Sequence, residues 1–419
     1  SGEHTPAFYI AMQNAVRTAI ARKVHDGRKQ AVLQALATAD RSGMSRDDGL
    51  LLRNTGTAHL LAISGLHIGL AALGGIFLGR GLLHLLPLAR LGMMTYYLPY
   101  LTAVLAATVY ALLAGLGVST LRALLMLLVV VCASISARAI HAWRSYVIAL
   151  ALVIAVNPVA PLAAGFWYSI LAVMSWLMVF QPRTSRLSWW LTPVFAQSAV
   201  FLVLLPAGAA WFSGFSLLGF FANLLAIPWV SLLVVPPVLL GIVALPASEF
   251  IAGTFWTVAA YSVSGLFRLL EVFYQLQPQL TAVRFLPVPL LLAAMLGGLL
   301  LLLPRGLPLR WSGAFMLLPL FLPAKNPAAV DAIRVDALDV GQGTAIAVSS
   351  KNRRILYDTG PGDGLGRDHF AATIAPSLRE LRIKQPDLLV ISHGDLDHSG
   401  GLHSFRERYE STAVMGSMQ

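Results

Sequence analysis

The sequence predicts a polytopic α-helical membrane protein followed by a small domain of alternating strands and helices, and three observations carry that expectation. The 419 residues are 57% hydrophobic and only 12% charged, with a mean hydropathy of +0.72, outside the range of soluble globular domains. Apolar runs near the ~18–20 residues that cross a hydrocarbon core about 30 Å thick recur along most of the chain. From residue 331 those runs give way to short alternating segments, IRVDALDV, TAIAVSS, RRILYDTGPG and DLLVISHGD, punctuated by glycine turns.

In chain order, residues 6–37 mix apolar Phe8, Ile10, Met12, Val16 and Ile20 with basic Arg17, Arg22 and Lys23, the pattern of one amphipathic helix. Either membrane-surface attachment or packing on a neighbouring domain accounts for it. The stretch ADRSGMSRDDG at 39–49 reads as a loop. Spans follow at 60–79, 96–114, 119–137, 162–180 and 190–206, with further runs at 215–245, 250–267 and 287–303. The run at 145–156 is short and needs residues 141–143 or a tilt to complete a crossing. About eight to ten crossings are expected. Pro228, Pro236 and Pro237 make 215–245 either one broken span or a re-entrant pair. Residues 266–285, with Arg268, Glu271 and Arg284, read as an interfacial helix or a cavity-lining loop. The expected division is an N-terminal helical segment at 1–58, a transmembrane channel domain at 59–323, a linker at 324–330 and the αβ domain at 331–419.

The net charge of +11 is unevenly spread. Residues 59–330 hold 12 Lys or Arg against Glu249 and Glu271 alone, whereas 331–419 hold 10 against 12 acidic residues. Proton- and cation-coupled pumps relay charge on intramembrane carboxylates, and both glutamates fall near span ends. The composition therefore suits a conduit for anions. Cys132 is the only cysteine, so no intrachain disulfide is possible. The chain opens on Ser1 without an initiator methionine or a signal peptide and is expected to be a fragment or processed form.

Arginines sort the short loops. Arg80 and Arg90, Arg138 and Arg144, and Arg183 and Arg186 fall in 80–95, 138–144 and 181–188, whereas 115–118, 157–163 and 207–214 hold none. The positive-inside rule places the Arg-bearing loops in the cytoplasm, and parity across 60–79 then puts residues 1–58 outside. Arg305 and Arg310 mark the cytoplasmic end of 287–303. A return crossing at 311–323, short for that task at about 1.5 Å per residue, would put the C-terminal domain outside.

The segment DLLVISHGDLDHSGG at 387–401 ends an apolar strand in His393, Asp395, Asp397 and His398. A hydrolytic metal centre needs neutral imidazoles and carboxylates converging on one or two ions, with an open position for water. This run supplies four such side chains just before the Gly400-Gly401 turn. Together with Asp339-Val340-Gly341-Gln342-Gly343 and Asp358-Thr359-Gly360, it resembles the N-terminal part of an αββα metallo-β-lactamase-like domain. The resemblance implies two divalent ions per complete site, the first on His393 and Asp395, the second on Asp397 and His398. It further implies that Asp397 orients the attacking water and that Asp339, Gly341 and Asp358 shape or support the site. Asp395 stands where the commoner motif has histidine, and a carboxylate oxygen there leaves manganese or magnesium open beside zinc. His403 reads as a helix residue rather than a replacement ligand. Residues 331–419 hold only the first half of the sandwich, so a complete two-metal site is not expected to assemble in this chain.

At 55–70, TGTAHLLAISGLHIGL sets His59, Ser64 and His67 at the start of the first long span, with Gly65 between them to loosen the helix. Ser64 and His67, three apart, share a helical face, as a satisfied interhelical contact or as part of a polar cavity. This segment, with GLGVSTLRALLM at 115–126, NPVAPLAAGFWYSI at 157–170 and FSLLGFFANLLAIP at 215–228, resembles the competence domain of ComEC-type DNA-uptake channels. The resemblance implies a multi-pass channel of the bacterial inner membrane that passes single-stranded DNA into the cytoplasm. It also implies a periplasmic nuclease-like domain that meets duplex DNA and degrades the other strand. Relative to that family an OB-like module and the distal hydrolase half are missing.

Arg122, close to the loop at 115–118, reads as a phosphate contact or as a snorkelling arginine. Trp167, Tyr168, Trp211, Phe212 and Trp229 read as stacking platforms for bases or as interfacial anchors. Asn157, Asn223 and Pro228 read as helix breaks lining the pore. No Walker loop appears in the sequence, so a separate cytoplasmic motor or single-strand-binding proteins are expected partners, beside membrane lipid. Two other classes compete: a membrane-tethered metallo-phosphodiesterase, for which so many spans are excessive, and a small-anion transporter with a degenerate hydrolase domain.

Overall fold

The computed structural model describes all residues except 1–6, 86–91, 137–140, 181–187, 189–190, 213, 277–280, 283–287, 304–307, 322–332, 363–367, 382 and 417–419. Arg90, Arg138, Arg183, Arg186, Arg284, Arg305 and the linker at 324–330 lie outside the described residues. The chain divides into two compact units, Ser1–Ala282 with Pro289–Leu318, and Pro319–Gln419 with Val283–Val288.

The first unit opens with α1 (Ala7–Lys23), α2 (Gly27–Thr38) and α3 (Arg46–Asn54). The single helix expected over 6–37 is broken, because the chain leaves the helical path at 24–26 and Asp26 starts a new helix by accepting from Lys29 N at 3.2 Å. The loop expected over 39–49 ends early for a similar reason: Ser45 caps α3, its hydroxyl accepting from Asp48 N at 3.1 Å. Val16, Ile20, Val32, Leu33 and Leu36 share one buried cluster with Trp256, Val263, Phe267 and Leu270. The apolar faces of α1 and α2 are thus spent on packing against a neighbouring helix. Glu249 and Glu271 pair with Arg22 at 3.5 Å and Arg28 at 2.9 Å, so neither is a free intramembrane carboxylate.

Six helices follow, α4 (Gly65–Leu85), α5 (Met93–Leu113), α6 (Val118–Ile135), α7 (Ala142–Val156), α8 (Ala164–Phe180) and α9 (Thr192–Phe212). Gly75 and Gly79, one turn apart on α4, face α5, and a Cβ on either would collide with Thr102. Such small-residue contacts let membrane helices approach closely. A short pair, β1 (Gly214–Phe215) and β2 (Thr281–Ala282), is antiparallel. Between them α10 (Gly219–Trp229) passes through a π-turn at Val230–Val234 into α11 (Val235–Ala244). The proline-rich run is one interrupted path without a reversal, since the lost proline N–H donors are absorbed by the wider turn.

α12 (Glu249–Leu276) continues through most of 266–285, where a separate interfacial helix or loop was expected. Its buried stripe of Trp256, Val263, Phe267 and Leu270 keeps helical spacing past Arg268, and Phe273 and Tyr274 pack on the same cluster, which overrides Arg268 and Glu271 as stop signals. α13 (Val288–Leu302) and the six-residue α14 (Ser312–Leu317) complete the helices of this part. Among the described residues five helices are long and apolar enough to cross a membrane, Ala58–Leu85, Thr95–Leu113, Val118–Ile135, Gly219–Ala244 and Glu249–Leu276. Ala142–Val156, Ala164–Phe180, Thr192–Gly208 and Val288–Leu302 are apolar but shorter.

The second unit is built on a five-stranded sheet of β3 (Arg334–Ala337), β4 (Ile346–Ser349), β5 (Arg354–Tyr357), β6 (Leu388–Ile391) and β7 (Ala413–Gly416), in that spatial order. β3, β4 and β5 are antiparallel, and β5, β6 and β7 are parallel. The parallel strands are linked by α15 (Ala375–Glu380), then by α16 (Leu396–Ser399) and α17 (Leu402–Arg408). Strand alternation puts Ala347, Leu356 and Leu389 on one face, in a core with Phe370, Ile374, Leu378 and Phe405. The opposite face presents Val335, Tyr357 and Met415 at 63%, 38% and 63% exposure. Ile346, Val348, Ile355 and Val390 on the same face are partly buried.

Candidate functional site

β6 delivers the polar loop of the second unit. Its last residue is followed by Ser392 and His393, and Asp395 precedes the short α16 that carries Asp397 and His398. Asp358, just past β5, is fully buried and adopts φ +59, a left-handed conformation that Asp and Asn tolerate better than most residues. Its Oδ1 accepts from Ser392 N at 2.7 Å, and its Oδ2 lies 2.8 Å from Ser392 Oγ and 2.7 Å from His398 Nδ1. The hydrogen bond from His398 to Asp358, helped by the charge of the same carboxylate, raises the His398 pKa above the ordinary imidazole value.

With Nδ1 committed, His398 Nε2 faces Asp397 Oδ2 at 3.5 Å. His393 Nε2 stands 3.4 Å from Asp395 Oδ2, and the two imidazole rings are 4.0 Å apart between centroids. Ligand atoms of His393, Asp397 and His398 all lie within 4.8 Å of one another. The structure therefore brings each of the two His–Asp pairs into contact on one loop, with Asp395 joined to the group through His393. Two imidazoles and two carboxylates form a mixed nitrogen and oxygen donor set that fits a divalent ion.

Two loops, one between β3 and β4 and one after β5, clamp this one by its backbone. Thr359 N and Oγ1 donate to His398 O at 2.8 and 3.1 Å, Gly362 N donates to Leu396 O at 3.1 Å, and Thr344 N to Asp397 O at 3.3 Å. Gly343 adopts φ +149, and a Cβ there would collide with Asp397 O, so the approach of the β3–β4 turn requires glycine. Asp339 is exposed and accepts from Gly341 N at 3.3 Å, shaping that turn without touching the ligand group. An open cleft of about 730 Å³ borders Asp397 and is lined by Gly341, Gln342, Pro361, Gly362 and His369. His369 and Ser392 escape a sequence reading because neither falls in a metal-type spacing. His403 lies on α17, exposed and 3.4 Å from Glu407.

In the helical unit Ser64 directly precedes α4 and its N–H donates to His67 Nδ1 at 3.2 Å, so the ring proton of neutral His67 sits on Nε2. His67 is 1% exposed, and its Nε2 meets no acceptor among the described residues. Gly65 is the first residue of α4 rather than a loosened interior position, because the Ser64–His67 contact forms the helix start. His59 lies in a 3₁₀ turn at Ala58–Leu60 and is exposed.

Asn157 ends α7, and Pro228 lies inside α10, two residues before the π-turn at Val230–Val234. Asn223 does not break a helix: it sits inside α10 and its Nδ2 donates across to Gly56 O at 3.1 Å, leaving its own backbone helical. Arg122 is 6% exposed in α6. One guanidinium nitrogen donates to Gly165 O at 2.9 Å, and Nε has no partner among the described residues. Trp229 Nε1 donates to Ser262 O at 3.0 Å, tying that ring to the packing of α10 on α12, while Trp167 is exposed and its Nε1 donates to Pro161 O at 2.8 Å in the turn before α8. The Phe212 side chain lies outside the described residues, while Tyr168 and Trp211 stand 6.0 Å apart between ring centroids.

Residues 36–308 match the family described as Competence protein, and residues 338–418 match the metallo-beta-lactamase superfamily. The chain is similar to Competence protein ComA of Neisseria gonorrhoeae, 34% identical over 89% of this chain and 52% of that protein. It is similar to Recombination protein 2 of Haemophilus influenzae, 29% identical over 92% of this chain and 53% of that protein. ComE operon protein 3 of Bacillus subtilis is 26% identical over 88% of this chain and 48% of its own length. The chain thus spans about half the length of these relatives. No solved structure matches it.

Proposed function

We propose, from the premise that the chain belongs to the Competence protein family and carries a metallo-beta-lactamase domain behind it, that its helices form a channel for one strand of incoming DNA. The other strand is degraded at the hydrolase-type domain. The observation that carries the channel is a pair of buried donors, His67 Nε2–H and Arg122 Nε–H, that meet no acceptor among the described residues and sit in predominantly apolar helices. An unpaired buried donor costs about 1–3 kcal/mol, and more when charged, so such groups are expected where a ligand supplies the acceptors. A phosphodiester backbone supplies them at every nucleotide. Both donors are closed off from solvent in this conformation, so a strand reaches them only when the helices part. The basic excess of 59–330 adds attraction for a polyanion, and the tethered-phosphodiesterase reading gives neither donor a role.

On the hydrolase side, bound manganese, zinc or magnesium ions would supply an activated water and neutralise phosphate charge. His393, Asp395, Asp397 and His398 would hold them, with Asp358 fixing the His398 ring. Asp397 borders the cleft and would align the attacking water, while Gln342 and His369 line the cleft wall and would meet the substrate there. The partly exposed sheet face fits a second half supplied by the rest of a full-length protein. The bacterial inner membrane is the expected location, with the hydrolase domain outside and a separate cytoplasmic motor or single-strand-binding protein completing transport.

The test uses the full-length protein in transformable cells. Arg122→Gln is expected to lower uptake of labelled single strand about tenfold, the loss of one charge-assisted contact of ~1.5 kcal/mol, while hydrolysis of the other strand continues. Unchanged uptake would remove the channel role assigned to Arg122. Asp397→Asn should do the reverse and stop hydrolysis alone.

A further inference from the structure

We propose that Ser392 is a positioning residue that sets the tautomer of His393, so that the one buried carboxylate of Asp358 orients both imidazoles, His398 directly and His393 through the serine hydroxyl. The purpose of the relay, presenting two Nε2 lone pairs to a divalent cation, rests on the metal-site reading above. Its geometry does not.

The argument is a donor and acceptor count. Asp358 is fully buried and receives Ser392 N at 2.7 Å, His398 Nδ1 at 2.7 Å and Ser392 Oγ at 2.8 Å. Two oxygens at 2.8 Å need a proton between them, and a carboxylate that is the shared acceptor of two N–H groups has none to give. The hydroxyl proton of Ser392 therefore lies on the line to Asp358. A serine hydroxyl carries one proton, so toward His393 Nδ1, 2.9 Å away, Oγ acts only as an acceptor. Nδ1 of His393 then holds the ring proton and Nε2 keeps its lone pair.

The reverse assignment, with Ser392 donating to His393, would leave the hydroxyl and carboxylate oxygens opposed without a proton in a buried site, which is costly. Asp395 does not rescue it. His393 Nε2 to Asp395 Oδ2 is 3.4 Å, beyond the usual N–H···O range of about 2.7–3.2 Å, and the Asp395 side chain is 78% exposed. Ser392 Oγ also lies 3.3 Å from His398 Nδ1, but that proton belongs to the nearer carboxylate. Asp358 is held in turn by its own N–H, which donates to Val390 O at 2.8 Å, so the relay is anchored to β6.

The experiment is solid-state NMR of the full-length protein in liposomes, with ¹⁵N-labelled histidine imidazoles, metal-free and at about pH 8.5, where an ordinary imidazole is neutral. The His393 resonance is assigned by its loss in His393→Gln. The expected result is an Nδ1-protonated His393 in the parent protein, conversion toward the Nε2-protonated form in Ser392→Ala, and retention in Ser392→Thr. Zn²⁺ affinity should fall about 10- to 100-fold in Ser392→Ala and recover in Ser392→Thr. An Nε2-protonated His393 in the parent overturns the proposal whatever the folding of the variants, as does a tautomer unchanged by Ser392→Ala. An Nδ1-protonated, serine-dependent His393 in a full-length protein that binds no ion would support the relay and remove the metal-dependent reading instead.

Discussion

Asp358 and His398 are 40 residues apart in sequence and meet at 2.7 Å, one supplied by the turn after β5 and the other by α16. The contact commits His398 Nδ1 and aims Nε2 at the neighbouring ligands. Asp358→Asn is the informative substitution, because asparagine also accepts a positive φ and the backbone at φ +59 is left unstrained. In the full-length protein it should weaken divalent-ion association about 10- to 100-fold, measured by calorimetry, with the circular dichroism spectrum unchanged. Undiminished affinity would mean that His398 does not ligate through Nε2.

The same contact sets a pH dependence. The His398 pKa is raised above the ordinary imidazole value, chiefly by the hydrogen bond to Asp358. For the metal-free fold, this group contributes stability that is complete below the unfolded pKa and is lost as pH rises through the raised folded value. For an ion the sign is opposite, since the proton must leave first: association weakens as pH falls through that raised value. Zn²⁺ isotherms over about pH 5 to 9 should show the weakening at higher pH in the parent than in Asp358→Asn.

Asn223 ties α10 to the chain before the first span by its 3.1 Å bond to Gly56 O. Asn223→Ala leaves that carbonyl without its donor and should cost about 1–3 kcal/mol, read as a lowered unfolding midpoint in detergent. An unchanged midpoint would show that the contact contributes nothing to the bundle.

Arg122 should also reveal itself through salt. If its guanidinium meets a phosphate, replacing it by glutamine lowers the slope of log affinity against log salt for single-stranded DNA by about one. Arg122→Lys should retain most of that slope, since a point charge suffices for counterion release. A slope equal in all three proteins would confine Arg122 to packing against Gly165.

The contiguous features are legible in the sequence. The spans show as length and composition, the strands as alternation, and the polar loop after β6 as ligand spacing compressed between His393 and His398. What escapes it is set by contacts between distant segments. Nothing near Asn223 indicates that it reaches Gly56, 167 residues away, rather than breaking its own helix. α12 runs on past Arg268 because Leu270, with Phe273 and Tyr274 beside it, packs in the cluster that α1 and α2 share, a tertiary override of local polarity. Ser45 and Asp26 are N-cap residues, each accepting from the N–H three residues on, and their residue types are those that favour helix starts. Ser392 carries no spacing signal at all, since its importance lies in a buried carboxylate supplied by another strand.

The central claim is that a DNA strand passes beside His67 and Arg122. The direct measurement is photocrosslinking of a 4-thiothymidine-substituted strand, stalled during uptake, to the full-length protein, with the attached peptides mapped by mass spectrometry. The account predicts attachment within 55–70 and 115–126, reduced by Arg122→Gln. Attachment confined to 331–419, with strands entering at the normal rate, would contradict it.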